Sequence, residues 1–246
     1  MTIVSIPDWN GQGVIPPVNP VDPTGAYRSP YQIGLTDLVL RFGISPERCC
    51  ILDGLLRCRA ELHRVGFTVG FHWLDGSFLE DIEHLETRPP RDIDVVTFLG
   101  DRAGPPLVAA DLQLFDPIWV KANFHVDSYF VELSLPSPDL VAWSAYWYSV
   151  WSHRRTQLWR GYLQIELAPG EDDAARANLQ RAQSLAPNHI ITAEELDQCQ
   201  AELEVAEARY RSALNAVAET IAWIGLRRTE LALAKQGRGN SGAVRR

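Results

Sequence analysis

The chain has 246 residues, 46% of them hydrophobic, with 31 Asp and Glu against 23 Lys and Arg, a formal net charge of −8. That length is enough to bury a full core in one large or two small domains, and the acidic balance excludes a general nucleic-acid coat, which needs a basic face. Cys49, Cys50, Cys58 and Cys199 have no metal-ligand spacing and read as reduced core thiols, no basic-then-apolar leader opens the sequence, and no apolar run approaches a membrane span; a soluble cytoplasmic protein with no membrane partner is expected.

Residues 1–30 carry Pro7, Pro16, Pro17, Pro20, Pro23 and Pro30. Proline fixes φ and removes amide donors, so this arm is expected to be extended. Trp9, Val14, Ile15 and Tyr27 give it apolar surface with which to wrap a domain. That domain is expected over residues 31–187. Tyr31–Phe42 reads as a short helix. Ser45-Pro46-Glu47 is a helix start, with an N-cap, a proline in the first turn and an acid at the positive dipole end. Ile51, Leu55, Cys58, Leu62 and Val65 then recur on one helical face. Arg57, Arg59, His63 and Arg64 fall on its other faces and read as a solvated surface.

Phe67–Leu74 alternates as a strand and delivers Gly76-Ser77 to its end. Phe78–Glu86 reads as a short helix whose acids, Glu80, Asp81, Glu83 and Glu86, face solvent. Asp92–Leu99 is a second strand, Gly100–Pro106 a loop and Leu107–Phe115 a helix closed by Asp116-Pro117. The aromatic and β-branched run Phe124–Val131 is a third strand, with Lys121 just before it. Pro138–Trp159 is aromatic-rich, and Trp143, Trp147 and Trp151 fall on one helical face, which reads as core ahead of a base-stacking surface. His153, Arg154, Arg155 and Arg160 form a dense basic cluster after it. It reads either as favourable charge at a helix C-terminus or as a site for a phosphate or an RNA end. Gly161–Leu167 reads as a strand and Asp172–Leu185 as an amphipathic helix.

Residues 188–236 differ in kind. Thr192-Ala193-Glu194-Glu195 is a capping box, and helical pattern runs from it to Lys235, roughly 65 Å at the standard rise. Leu196, Leu203, Tyr210, Val217 and Ile224 keep strict seven-residue spacing. A homodimeric coiled coil through residues 192–235 is expected, or a hairpin bent near Gly225. Residues 237–246 read as a basic, disordered tail.

The chemistry concentrates between residues 75 and 95. Alternate side chains of a strand share a face, so Asp92 and Asp94 point the same way. Two close like charges repel, and a divalent cation is the usual way to make such an arrangement favourable. Hard oxygen ligands suit Mg²⁺ or Mn²⁺. The Gly76-Ser77 turn offers amides and a hydroxyl to a phosphate. Arg91 stands before Asp92, placed either to pair with the acids or to touch a phosphate. Lys121 reads equally as a phosphate contact and as an ordinary exposed lysine.

Gly76-Ser77 followed by Asp92-Ile93-Asp94 resembles the nucleotidyltransferase superfamily, the fold of polymerase β and of many bacterial toxins. The wider chain resembles an uncharacterised bacterial family of such proteins, through Gly13-Val14-Ile15-Pro16-Pro17, Arg28-Ser29-Pro30-Tyr31, the Gly70-to-Phe98 core and Trp159-Arg160-Gly161-Tyr162. The resemblance implies an α/β (α+β) fold, a minimal mixed sheet flanked by helices. It implies a third carboxylate on a later strand, Asp127, with Asp111 and Asp116 as fallbacks. It also implies transfer of NMP from an NTP to RNA, protein or another nucleotide, in a toxin or phage-defence setting. Asp92, Asp94 and Asp127 would then be the catalytic and metal-holding residues. Gly76, Ser77, Arg91, Lys121, Arg154 and Arg155 would be candidates for nucleotide binding. The stretch between Ser77 and Asp92 is longer and more acidic than the superfamily's pattern. The alternative is an inactive relic of the fold that pairs with partners through its C-terminal helix.

Overall fold

The computed structural model describes residues 5–185. The expectations for residues 192–235, for the tail and for Cys199 lie outside the described residues.

The fold is α/β, built on a mixed five-stranded sheet. In chain order the strands are β1 (Tyr31–Gln32), β2 (Gly70–Asp75), β3 (Ile93–Leu99), β4 (Val126–Glu132) and β5 (Leu163–Glu166), and their spatial order is β1-β5-β2-β3-β4. β1 runs parallel to β5, β5 antiparallel to β2, β2 antiparallel to β3, and β3 parallel to β4. The longer helices are α1 (Leu35–Phe42), α2 (Pro46–Arg64), α4 (Pro117–Phe124), α5 (Ser137–Trp151) and α6 (Asp172–Leu185); α3 (Ile82–Glu86) is a single turn.

Local chemistry sets most of these boundaries. Ser45 caps α2, its hydroxyl accepting the Arg48 amide at 3.3 Å, with Pro46 at the first position. Asp116 caps α4 by accepting the Ile118 amide at 2.9 Å, and Pro117 follows it. Leu52, Leu55 and Leu56 of α2 join Ile93, Val95 and Val126 of the sheet in one continuous core. α2 also lies so close to α4 that a Cβ on Gly54 would collide with the Phe124 carbonyl, so only glycine fits there. Trp147 and Trp151 of α5 pack against Tyr129 and Tyr162, with centroids 4.7 Å and 6.0 Å apart. Among the described residues no helix is long and apolar enough to cross a membrane.

Four local expectations are corrected. Tyr31 does not open a helix; its amide and that of Ile33 donate to the Tyr162 and Gln164 carbonyls, forming β1, and α1 begins only after Gly34. The helix expected over Phe78–Glu86 is broken into a 3₁₀ turn (Ser77–Leu79) and α3. The cause is competition for its backbone groups. The buried Arg48 guanidinium takes the Phe78 and Glu80 carbonyls, each at 2.6 Å, and the Asp81 amide donates to Gly13 of the N-terminal arm. Arg59 is not solvated. It is 1% exposed, donating to the Asp172 carboxylate and to the Glu166, Leu167 and Ala168 carbonyls. Trp143 leaves the expected core stripe and is 46% exposed, while Trp147 and Trp151 are buried.

The proline-rich arm does wrap the domain. Val14 and Ile15 are buried, and the Trp9 indole donates to the Leu79 carbonyl at 2.7 Å. Cys49 and Cys58 are buried in α2, and Cys50, expected in the core, is exposed.

Candidate active site

One end of the sheet gathers acids on three adjacent strands. Asp75 closes β2 and lies opposite Asp94 of β3, and Asp94 lies opposite Asp127 of β4. Residues in register on neighbouring strands share a face, so the three carboxylates form a row. Asp92, one residue before β3, shares that face by alternation. The order Asp-x-Asp and then a later-strand Asp is therefore converted by the register into one constellation.

The row is electrostatically loaded. Burial first, and then the charges of Asp92 and Asp127, push the Asp94 carboxyl up to about 6, against the pull of Lys121 and Arg160. Burial lifts the neighbouring Asp75 to about 7, against the pull of Arg160. Asp75 is 1% exposed, and its Oδ1 has no hydrogen-bond partner among the described residues.

Lys121 answers part of this charge. It sits on α4, six residues before Asp127, and its Nζ lies 2.8 Å from Asp92 Oδ2 and 2.8 Å from Asp127 Oδ2. Burial opposes its charged form, but the hydrogen bonds it donates to Asp127 and Asp92 prevail and hold its pKa above the ordinary value. Tyr129, two residues beyond Asp127 on the same face, has its phenol raised by burial and then by the Asp127 charge.

Gly76 makes the approach to Asp94 feasible. Its φ is +94°, a conformation that side-chain-bearing residues rarely adopt, and a Cβ there would fall 2.5 Å from Asp94 Oδ2. The glycine of the Gly-Ser pair thus lies directly against the second acid of the Asp-x-Asp pair. Ser77 follows in a 3₁₀ turn of three residues, too short to present a sustained helix N-terminus. The Ser77 hydroxyl and the turn's backbone remain.

The basic cluster takes a different place. Arg154 pairs with Glu80 bidentately along the Nε–Nη2 edge of its guanidinium, Nε donating to Oε1 at 2.8 Å. Arg160 Nη1 donates to Glu80 Oε1 at 2.6 Å, and its Nη2 pairs with Asp75. Arg48 grips Glu83 at 2.6 Å beside them. Glu80, expected in solvent, is 4% exposed and central to this network. Arg155 and Arg91 are exposed and take no part in the hydrogen bonds of either cluster. Asp111 pairs with Arg64 at 2.9 Å and Asp116 caps α4, so neither fallback acid joins the row. Sequence reasoning missed Asp75 and Arg160 as neighbours of the site. The only signal for Asp75 was its position, immediately before Gly76.

As they stand, no three His, Cys, Asp or Glu side chains among the described residues are grouped closely enough to hold a metal ion. The donor set still suits a hard cation. It consists of carboxylates alone, with more negative charge than one lysine neutralises, and an unpartnered buried carboxylate oxygen lies beside Asp94.

Compared with known proteins, this mixed α/β domain falls in one described family. The model of DUF6932, a family of unknown function, matches residues 7–166, and the chain belongs to that family. The match takes in all five strands, the acidic row and Lys121, and stops before α6. No curated protein and no solved structure matches the chain.

Proposed function

We propose that the protein is a metal-dependent nucleotidyltransferase, moving NMP from an NTP to a hydroxyl of an acceptor such as RNA, a protein or another nucleotide. The observation that carries the reading is the in-register placement of Asp94 and Asp127, with Asp92 on the same face and Gly76 against Asp94. Asp92, Asp94 and Asp127 would hold Mg²⁺ or Mn²⁺. Such ions supply charge stabilisation to both the attacking and the leaving oxygen of an in-line displacement.

The chain's own groups have separable roles. Ser77, half-buried beside Gly76, donates its hydroxyl to a terminal phosphate. Asp127, its side chain 24% exposed, takes the proton of the acceptor hydroxyl. The acceptor oxygen bonds to the α-phosphorus, the bond from that phosphorus to the bridging oxygen breaks, and pyrophosphate leaves. Arg160 and Glu80 fix the end of β2 on which Asp75 and Gly76 stand. Arg154 is committed to Glu80, so the phosphate contacts fall to Ser77 and Lys121, with the exposed Arg91 and Arg155 as the remaining cations.

The test is incubation with each labelled NTP, Mg²⁺ and either total RNA or cell extract, looking for transferred label. Wild-type protein labels an acceptor, and Asp94→Asn labels none while remaining folded. Equal labelling by the two would refute the assignment. No labelling by wild type in any mixture would favour the inactive, partner-binding alternative.

A further inference from the structure

We infer that Lys121 is a built-in counter-ion: it holds Asp92 and Asp127 together when no cation is bound, and exchanges to the nucleotide's phosphate when a divalent ion takes those carboxylates. The inference rests on the nucleotidyltransferase reading and adds a second role to one of its residues.

The geometry is specific. One ammonium is 2.8 Å from an oxygen of each of two acids that lie on different elements, one just before β3 and one on β4. An ammonium is a compact point charge with several donors and no planar demand, so it can stand between two carboxylates much as a small cation does.

The arrangement is incomplete in one direction only. Asp92, Asp94 and Asp127 face a single lysine, and Asp75 beside them leaves Oδ1 buried without a partner. A divalent ion supplies more charge than Lys121 and outcompetes it. The lysine is free to leave. Its side chain is 46% exposed, on a flexible stem near the C-terminal end of α4. Once released, it stands beside the metal-holding acids, where a triphosphate brings uncompensated negative charge.

Exchange predicts opposite signs for two affinities. Removing the lysine charge takes away the competitor for the metal and also a contact for the phosphate. Calorimetry would measure Mn²⁺ alone, and then inorganic tripolyphosphate in saturating Mn²⁺, on wild type, Lys121→Met, Lys121→Arg and Asp92→Asn. Lys121→Met is expected to bind Mn²⁺ about tenfold more tightly and tripolyphosphate about tenfold more weakly, since 1.4 kcal/mol is a factor of ten. Lys121→Arg, which keeps the charge, should stay near wild type in both. A lysine that only braces the fold would shift both affinities in the same direction, and that result overturns the inference. So does unchanged Mn²⁺ affinity in Lys121→Met while Asp92→Asn loses Mn²⁺, an outcome that leaves the metal-dependent reading standing. Folded Lys121→Met that binds no Mn²⁺ at millimolar concentration removes both.

Discussion

Two charged clusters lie within a few residues of each other and have opposite characters. Around Glu80, three arginines (Arg48, Arg154 and Arg160) meet Asp75, Glu80 and Glu83, and positive and negative charges balance. Around Asp94, Asp92 and Asp127 share one lysine, and Asp94 is forced toward its neutral form. The balanced cluster pairs its charges and holds elements together: Arg154 and Arg160 follow α5, while their acids flank Gly76. The unbalanced cluster stores repulsion that a ligand can relieve. Both clusters bury charge, and what separates them is that only the Asp94 cluster leaves its charge uncompensated.

The comparison breaks most sharply at Arg160. Arg160→Met leaves Asp75 and Glu80 buried without that partner, and removing one member of a buried pair costs about 3–5 kcal/mol. Urea denaturation should show that loss, and Asp75→Asn added to Arg160→Met should recover part of it, because the two are coupled. A loss below about 1 kcal/mol would mean that the network is not what holds β2 in place.

Gly76→Ala probes the seam between the clusters. It forces a Cβ onto the Asp94 carboxylate and a side chain into a conformation that costs roughly 1–3 kcal/mol. Transfer activity should fall further than stability, because Asp94 must move aside. Full activity with full stability would show that the close approach is dispensable.

Asp94→Asn should have the reverse sign in the absence of divalent cations. The folded protein raises this carboxyl from 3.8 to about 6, so it holds the proton more tightly than the unfolded chain does. The resulting cost sets in as pH rises above about 4 and is complete above about 6. The variant should therefore be more stable than wild type at neutral pH, by about 1–2 kcal/mol after allowance for partial exposure, and indistinguishable near pH 4. Thermal melts in EDTA across that window would check it, and a constant difference at all pH values would contradict the charge argument.

Ser77→Ala is the mildest change. It removes one hydroxyl and leaves the turn's backbone, so NTP affinity should fall by roughly 1 kcal/mol, the scale of a single neutral hydrogen bond. Unchanged affinity by calorimetry would make the turn structural only.

Much of this molecule was determined locally. Ser45-Pro46 starts α2 and Asp116-Pro117 starts α4 because capping acts within one turn of chain. β3 and β4 follow from their branched and aromatic runs, and the shared face of Asp92 and Asp94 follows from strand alternation. Other features depended on partners far away in the chain. Arg59 is buried because Asp172 and three carbonyls more than a hundred residues later receive it. Glu80 turns inward because Arg154 and Arg160 return to it across some eighty residues, and the expected helix breaks where Arg48 takes its carbonyls. Lys121 was legible as a neighbour of β4 but not as a bridge, since only the parallel register of β3 and β4 brings Asp92 and Asp127 to one ammonium. Sequence alone determines which residues carry charge and which way a strand points them; only the tertiary packing decides which of those charges meet a partner, because Coulomb and hydrogen-bond energies depend on distances that no local pattern contains.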